Sequence, residues 1–263
     1  MTSTSTAPEI DVRDLRVLVT AGGSGIGRTV AESFAASGAK VHVTDVAEGA
    51  LAAAVDAGLS GTVGDVSSIA DVDRAFDDVS ASLGGLDVLV NNAGIAGPTG
   101  VVDALDAPDV DRTIDVNLKS QFYFLNRFVP FLKASRRNPS IIAMSSVAGR
   151  LGYGQRTPYA ATKWAIVGLV KSLAVELGPL GIRANAILPG VVQGERMNRV
   201  IADRAAALGV KFDEMREDYL RKISLRRMVD AIDVANLSLF LASNLARNIS
   251  GQAISVDGNV EYL

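Results

Sequence analysis

Seven short apolar runs, rich in β-branched residues, recur along this chain with longer segments of helical period between them. No other feature restricts the possible folds as much. The runs span residues 16–20, 40–45, 59–63, 88–91, 140–145, 183–188 and 253–256. Runs such as Val-Leu-Val and Ile-Ile-Ala-Met lack strict alternation, as strands do when both faces of a parallel sheet are covered by helices. The intervening segments 27–37, 69–83, 109–135, 159–177 and 231–241 carry the helical period. Strands alternating with helices predict an α/β fold: a single-domain, doubly wound, seven-stranded parallel sheet of Rossmann-like type. Gly38 and Gly178 read as left-handed helix ends, and Asp106-Ala107-Pro108 and Ser67 as helix starts.

Residues 1–12 read as a flexible N-terminal tail, Ser/Thr-rich at its start, and 13–263 as one catalytic domain. The interval 194–228 is charged and helical in period, and it lies between the sixth strand and the last helix. It reads as a helical substrate lid, with Arg196, Arg199 and Arg204 interleaved with Met197, Ile201, Met215 and Tyr219. A hairpin with an apolar underside and a solvated basic face explains that pattern. A sharper expectation is that Arg196 or Arg199 meets an anionic group on a substrate.

The net charge of −3 supplies no positive field for nucleic acid or an anionic membrane surface. The absence of cysteine removes disulfides, thiolate catalysis and zinc–thiolate sites. With one histidine, His42, neither a His-built metal site nor a Ser-His-Asp triad is expected, so the metal expectation is none. His42 lies in a strand and is expected to pack. No apolar stretch approaches the roughly eighteen residues of a spanning helix, and a cytoplasmic location is the expectation.

Directly after the first strand comes Thr20-Ala21-Gly22-Gly23-Ser24-Gly25-Ile26-Gly27, and then a helix. Glycines there let the backbone turn tightly and approach a pyrophosphate, while the new helix offers unpaired N–H groups and a positive dipole end. Gly22, Ser24, Gly25, Ile26 and Gly27 are therefore candidate dinucleotide contacts. Asp45 ends the second strand about twenty residues on, where a carboxylate accepts from ribose hydroxyls and repels a 2′-phosphate, which favours NAD over NADP. A simple turn cap is the other reading of Asp45. Asp65-Val66 and Asn91-Asn92-Ala93-Gly94 follow the third and fourth strands, at the sheet end where ligands of such folds bind. Asp65 suits an adenine amino group; Asn91 suits ribose or a neighbouring strand end.

Ser146 precedes Tyr159 by thirteen residues, and Lys163 follows Tyr159 by four. Positions i and i+4 share a helix face, so phenol and ammonium can enter one cleft. A free phenol titrates near 10, too high for a base at neutral pH. A neighbouring ammonium favours the phenolate and makes the group usable as acid or base. Ser146 can hydrogen-bond the substrate oxygen.

On these motifs the chain from about residue 15 to 260 resembles the short-chain dehydrogenase/reductase family. The turn 20–27 is similar to the family's cofactor turn, Asn91-Asn92-Ala93-Gly94 to its fourth-strand motif, and Tyr159-Ala160-Ala161-Thr162-Lys163 to its Tyr-x-x-x-Lys signature. The resemblance implies Ser146 as the substrate-orienting serine, Tyr159 as acid/base, and Lys163 as binder of the nicotinamide ribose. It implies that Asn117 keeps a helix kinked around a relay water, and that Pro189-Gly190 carries the nicotinamide, with Val192 bonding its carboxamide. Asn92, Ala93 and Gly94 join the cofactor set. Ala21 stands where the family's first glycine usually lies, and Gly194 where a threonine is common. The family also implies a homotetramer, built on helices 109–135 and 159–177 and on the last strand. The expected activity is NAD-linked oxidation of a small secondary alcohol of sugar, polyol or hydroxy-acid type, with an anionic substrate a further possibility and Gln155 as a pocket candidate. The alternatives are an NADP-dependent 3-oxoacyl thioester reductase and a non-catalytic dinucleotide-binding scaffold.

Overall fold

The computed structural model describes residues 9–262. Residues 1–8 of the expected tail lie outside the described residues. Within the rest of it, Val12 is 1% exposed and packs in the core, so ordered structure begins before residue 13.

The chain runs β1 (Arg16–Thr20), α1 (Gly25–Ala36), β2 (Lys40–Asp45), α2 (Glu48–Asp56), β3 (Ser60–Val63), α3 (Ile69–Leu83), β4 (Val88–Asn91), α4 (Ala107–Ile114), a π-helical turn (Asp115–Lys119), α5 (Ser120–Ala134) and β5 (Ser140–Met144). It continues through α6 (Thr157–Leu177), β6 (Arg183–Pro189), α7 (Glu195–Leu208), α8 (Phe212–Arg221), α9 (Ala231–Ala242) and β7 (Ala253–Val256). The seven strands form one sheet in the order β3-β2-β1-β4-β5-β6-β7, every pair parallel. Strand order reverses between β1 and β4, which opens a crevice at their carboxyl ends.

Two apolar layers sandwich the sheet. Val30, Phe34, Val234 and Leu241 of α1 and α9 pack on one face. Val72, Phe128, Ile166 and Val170 of α3, α5 and α6 pack on the other. β4, β5 and β6 are buried along their whole length, which is why their sequences do not alternate. β7 is an edge strand and partly exposed. Among the described residues no helix is long and apolar enough to cross a membrane.

Several local expectations need correction. α2 went unassigned because only Leu51 and Ala54 are buried in its Ala-rich sequence, too few to show a period. The helix expected over 109–135 is interrupted by the π-turn, whose cause is tertiary and is given below. Gly38 does adopt a left-handed φ of 86°, but Gly178 is right-handed at −54°. Gly178–Leu180 instead form a 3-10 turn, and the chain reverses at Gly181. The cap of α3 is Ser68, whose Oγ accepts from the Asp71 N–H, because Ser67 is committed to Asp65.

Residues 194–228 do form a helical hairpin. α7 and α8 meet at Gly209, and Ile201, Ala205, Met215 and Tyr219 form an apolar underside against Val147, Val191, Ile223 and Val260. Gly194 opens α7 at a φ of 146°, a conformation open to glycine and strained for any residue with a Cβ, threonine included.

Candidate active site

The turn after β1 is shaped by close backbone packing. A Cβ on Gly27 would lie 2.1 Å from the Ala21 carbonyl oxygen and 2.5 Å from Asn92 Nδ2, so only glycine lets α1 start this near the sheet. Ala21 itself adopts a φ of 51°, and a residue with a Cβ held there stores about 1 kcal/mol of strain. Asn92 clamps the turn to β4: Nδ2 donates to the Thr20 carbonyl at 2.9 Å, while Thr20 Oγ1 accepts from the Asn92 and Ala93 N–H groups. Ser24 occupies the α1 N-cap without making a side-chain cap, so the first-turn N–H groups around Gly25, Ile26 and Gly27 have no side-chain acceptor. That edge suits a phosphate.

Asp45 accepts from the Gly23 N–H at 2.9 Å and the Ala47 N–H at 3.0 Å. It thus caps its own turn and also faces the glycine loop. Asp65 is tied to Ser67 and, at 2.8 Å, to Arg112; with Val66 it lines a narrow crevice beside Thr44, Thr62 and Phe124. Asn91 Nδ2, on the last residue of β4, is buried with no partner among the described residues. Pro189 ends β6, and the Gly190 N–H bonds Val256 at 2.9 Å. At the following bridge to Val229 the Val191 carbonyl accepts from the Val229 N–H and the Gln193 N–H donates to the Val229 carbonyl, and the backbone groups of Val192 make no hydrogen bond among the described residues. Unbonded donors at Val192, Asn91 and the α1 terminus fit an amide- and phosphate-bearing cofactor.

Three segments bring the chemical residues together. Lys163 is 3% exposed, and its Nζ donates to the Met144 carbonyl at the end of β5 at 2.8 Å. Ser145 Oγ donates to the Lys163 carbonyl at 2.7 Å, fixing α6 against the same strand end. Ser146 caps the short turn Val147–Gly149. Asn117 is fully buried in the π-turn, where its Oδ1 accepts from the Ile95 N–H at 2.7 Å and its Nδ2 donates to the Ile95 carbonyl at 3.0 Å and to Thr162 at 3.2 Å. These bonds hold the loop after β4 to the helix, and the widened turn places the amide where it can make them. Gly94 lies between the two groups: a Cβ on it would be 3.2 Å from Asn117 Oδ1 and 3.3 Å from Lys163 Nζ.

Electrostatics separate Tyr159 from the neighbouring Tyr153. Burial raises the Tyr159 phenol, but Lys163, Arg196, a hydrogen bond from Ser146 and Arg156 together carry it below its ordinary 10. Burial raises Tyr153 as well, and there Tyr219 adds to the rise. The two phenols are thus shifted in opposite directions. Burial holds Lys163 down to about 8, against the opposing pull of Tyr159.

Of the substrate candidates, Arg196 reaches the Gly94 carbonyl at 3.2 Å. Arg199 is exposed and is not among the cations acting on Tyr159. Gln155 adopts a φ of 62°, and its carbonyl accepts from the Gly100 N–H at 2.9 Å. Sequence reasoning missed Arg156, which is 5% exposed, with its Cζ 5.5 Å from the Tyr159 ring centroid and Nη2 on the Ala96 carbonyl at 2.7 Å. Its only sequence signal is its place just before the helix that carries Tyr159. Tyr153 and Tyr219 join hydroxyls at 2.8 Å, linking this loop to the hairpin. Trp164 faces away, half exposed. His42 packs, bonded to Ser82 and Thr62.

A family model described as Enoyl-(Acyl carrier protein) reductase matches residues 20–260. An uncharacterized short-chain type dehydrogenase/reductase of Sinorhizobium fredii is 37% identical over 245 residues, 90% of this chain and 92% of its own. Galactitol 2-dehydrogenase of Agrobacterium fabrum is 34% identical over 244 residues, covering 92% of this chain and 95% of its own. The crystal structure of levodione reductase matches with a TM-score of 0.88 at 30% identity, over 94% of this chain and 97% of that one.

Proposed function

This chain belongs to the short-chain dehydrogenase/reductase family of oxidoreductases, which bind a nicotinamide dinucleotide, and on that footing we propose that it oxidises a small secondary alcohol of sugar, polyol or hydroxy-acid type with NAD. The observation that carries the reading is the convergence of Ser146, Tyr159 and Lys163 at the end of β5, with Lys163 Nζ 5.6 Å from the Tyr159 ring centroid and bonded to the Met144 carbonyl; of the two neighbouring phenols, Tyr159 alone is drawn below its ordinary value. Tyr159 takes the proton from the alcohol oxygen, or returns it in the reverse direction. Ser146 orients that oxygen by a hydrogen bond from its own hydroxyl, and the Lys163 ammonium stabilises the phenolate. Asn117 holds the loop carrying Gly94 against Tyr159's helix. The nicotinamide supplies the hydride acceptor in oxidation and the donor in reduction.

Gly22, Ser24, Gly25, Ile26 and Gly27 would hold the dinucleotide's pyrophosphate, and Val192 its amide end. The preference for NAD rests on Asp45, which faces the glycine turn with no cation paired to it among the described residues. A 2′-phosphate there would meet a carboxylate. Galactitol 2-dehydrogenase among the relatives supports a polyol-type substrate. A homotetramer is part of the reading, supported by Phe122 on α5 and Trp164 and Val175 on α6, all at least half exposed.

The test is nicotinamide reduction, followed by absorbance, with NAD or NADP and a panel of polyols, sugars and hydroxy acids. Turnover with NAD that vanishes in Tyr159→Phe is expected. Equal use of NADP, or NADPH-linked reduction of a 3-oxoacyl thioester as the faster reaction, would sink the cofactor and substrate assignment.

A further inference from the structure

Three cations surround the Tyr159 phenol. Lys163 Nζ lies 5.6 Å from its ring centroid and Arg156 Cζ 5.5 Å from it. Arg196 crosses from α7 to the carbonyl of Gly94, the residue packed between Lys163 and Asn117. None of the three has an ion-pair partner among the described residues. Elsewhere Arg16 pairs with Asp87 at 2.7 Å and Arg150 with Asp257 at 2.6 Å, while Arg183 and Arg204 are single cations without an ion pair; among the described residues, only beside Tyr159 do three such cations gather. Arg156 is 5% exposed, and its Nε is buried without an acceptor. Burying a charge without a counter-charge is costly; Lys163 and Arg156 are both buried, and a Tyr159 phenolate offsets only one of these two, with Arg196 adding a third, exposed charge at the site. A neutral polyol would leave the remaining excess in place.

Resting on the oxidoreductase reading above, we propose that the substrate carries a compact carboxylate or sulfonate beside its carbinol, taken by Arg196, with Arg156 as a fixed second cation behind Tyr159. Arg196 is exposed, and its recorded hydrogen bond at the site, to Gly94, is to a neutral carbonyl. A carboxylate offers the guanidinium a charge-assisted, bidentate bond and displaces that contact. Arg156 is held by the Ala96 carbonyl and Thr99, so it contributes field and not a movable grip. Arg199, exposed on the same helix as Arg196, is not among the cations acting on Tyr159.

The test is calorimetric binding to the NADH-loaded enzyme of three probes with one carbon skeleton: glycerate, 2,3-dihydroxypropane-1-sulfonate and the neutral glyceramide. At least one anion is expected to bind about tenfold or more tightly than the amide. Arg196→Gln should abolish that gap and Arg196→Lys should restore part of it. Which anion shows the gap tells carboxylate from sulfonate. Equal binding of all three probes, with none measurable counted as equal, overturns the proposal, as does a gap that survives Arg196→Gln. NADH affinity is read in the same cell: its absence counts against the oxidoreductase reading, whereas retained NADH binding without anion preference overturns this inference alone.

Discussion

Replacing Lys163 with methionine removes the ammonium beside Tyr159 while keeping most of the side-chain volume. Lys163 Nζ is 5.6 Å from the phenol ring centroid. Unit charges about that far apart interact by about 3 kcal/mol at an effective dielectric constant of about 20. The ammonium favours the phenolate, so its loss moves the phenol back up. The acid limb of the pH profile for alcohol oxidation is therefore expected to move to higher pH, and turnover at pH 7 to fall about a hundredfold, the factor to which about 3 kcal/mol of lost charge stabilisation corresponds. Burial holds Lys163 itself to about 8. The ammonium is thus present below pH 8 and lost above it, so the two proteins should differ most below pH 8 and converge at higher pH. The assay is NADH formation from pH 6 to 10 at saturating NAD, with circular dichroism to show that the variant is folded. Loss of the bond from Nζ to the Met144 carbonyl adds a stability cost of about 1 kcal/mol, read separately by thermal melting. A folded variant whose acid limb stays in place would refute the electrostatic role given to Lys163.

Three further outcomes are expected. His42 is 1% exposed and burial pushes it down to about 4, so its neutral form contributes stability that is present above pH 6.5 and lost as pH falls through 4. The loss is on the order of 3 kcal/mol, and urea midpoints at pH 7 and 4.5 should separate more in the native protein than in His42→Gln. Asn117→Ala strips the Ile95 N–H and carbonyl of their side-chain partner, and should cost about 2 kcal/mol and lower turnover more than NAD affinity; unchanged melting would contradict the clamp. Gly27→Ala places a Cβ against the Ala21 carbonyl and Asn92, and loss of measurable NAD binding by calorimetry is expected, an outcome that near-native affinity would disprove.

Much of this molecule could be read from one sequence because its main signals are local. Strand boundaries at 16–20, 40–45, 88–91 and 253–256 agree with the structure to the residue: burial in β1, β2 and β4 favours apolar and β-branched side chains, while β7, a partly exposed edge strand, is marked by a short run with β-branched residues between Gly251 and Gly258. The pairing of Tyr159 with Lys163 follows from helical spacing alone. What the sequence left open depends on contacts between distant segments. The π-turn at 115–119 exists beside Ile95 and Thr162, partners 22 and 45 residues away from Asn117, so no periodicity in 109–135 could announce it. Arg156 becomes part of the site only when the loop 94–100 folds over it. Arg196 and Arg199 share one basic stretch, yet only the docking of α7 decides that Arg196 reaches Gly94. The sequence alone determined the scaffold, the cofactor turn and the Tyr159–Lys163 pair, because turn geometry and helical spacing act over a few residues. Tertiary structure alone decided which charges meet around Tyr159, because a charge's effect depends on distance and burial in space and not on separation along the chain.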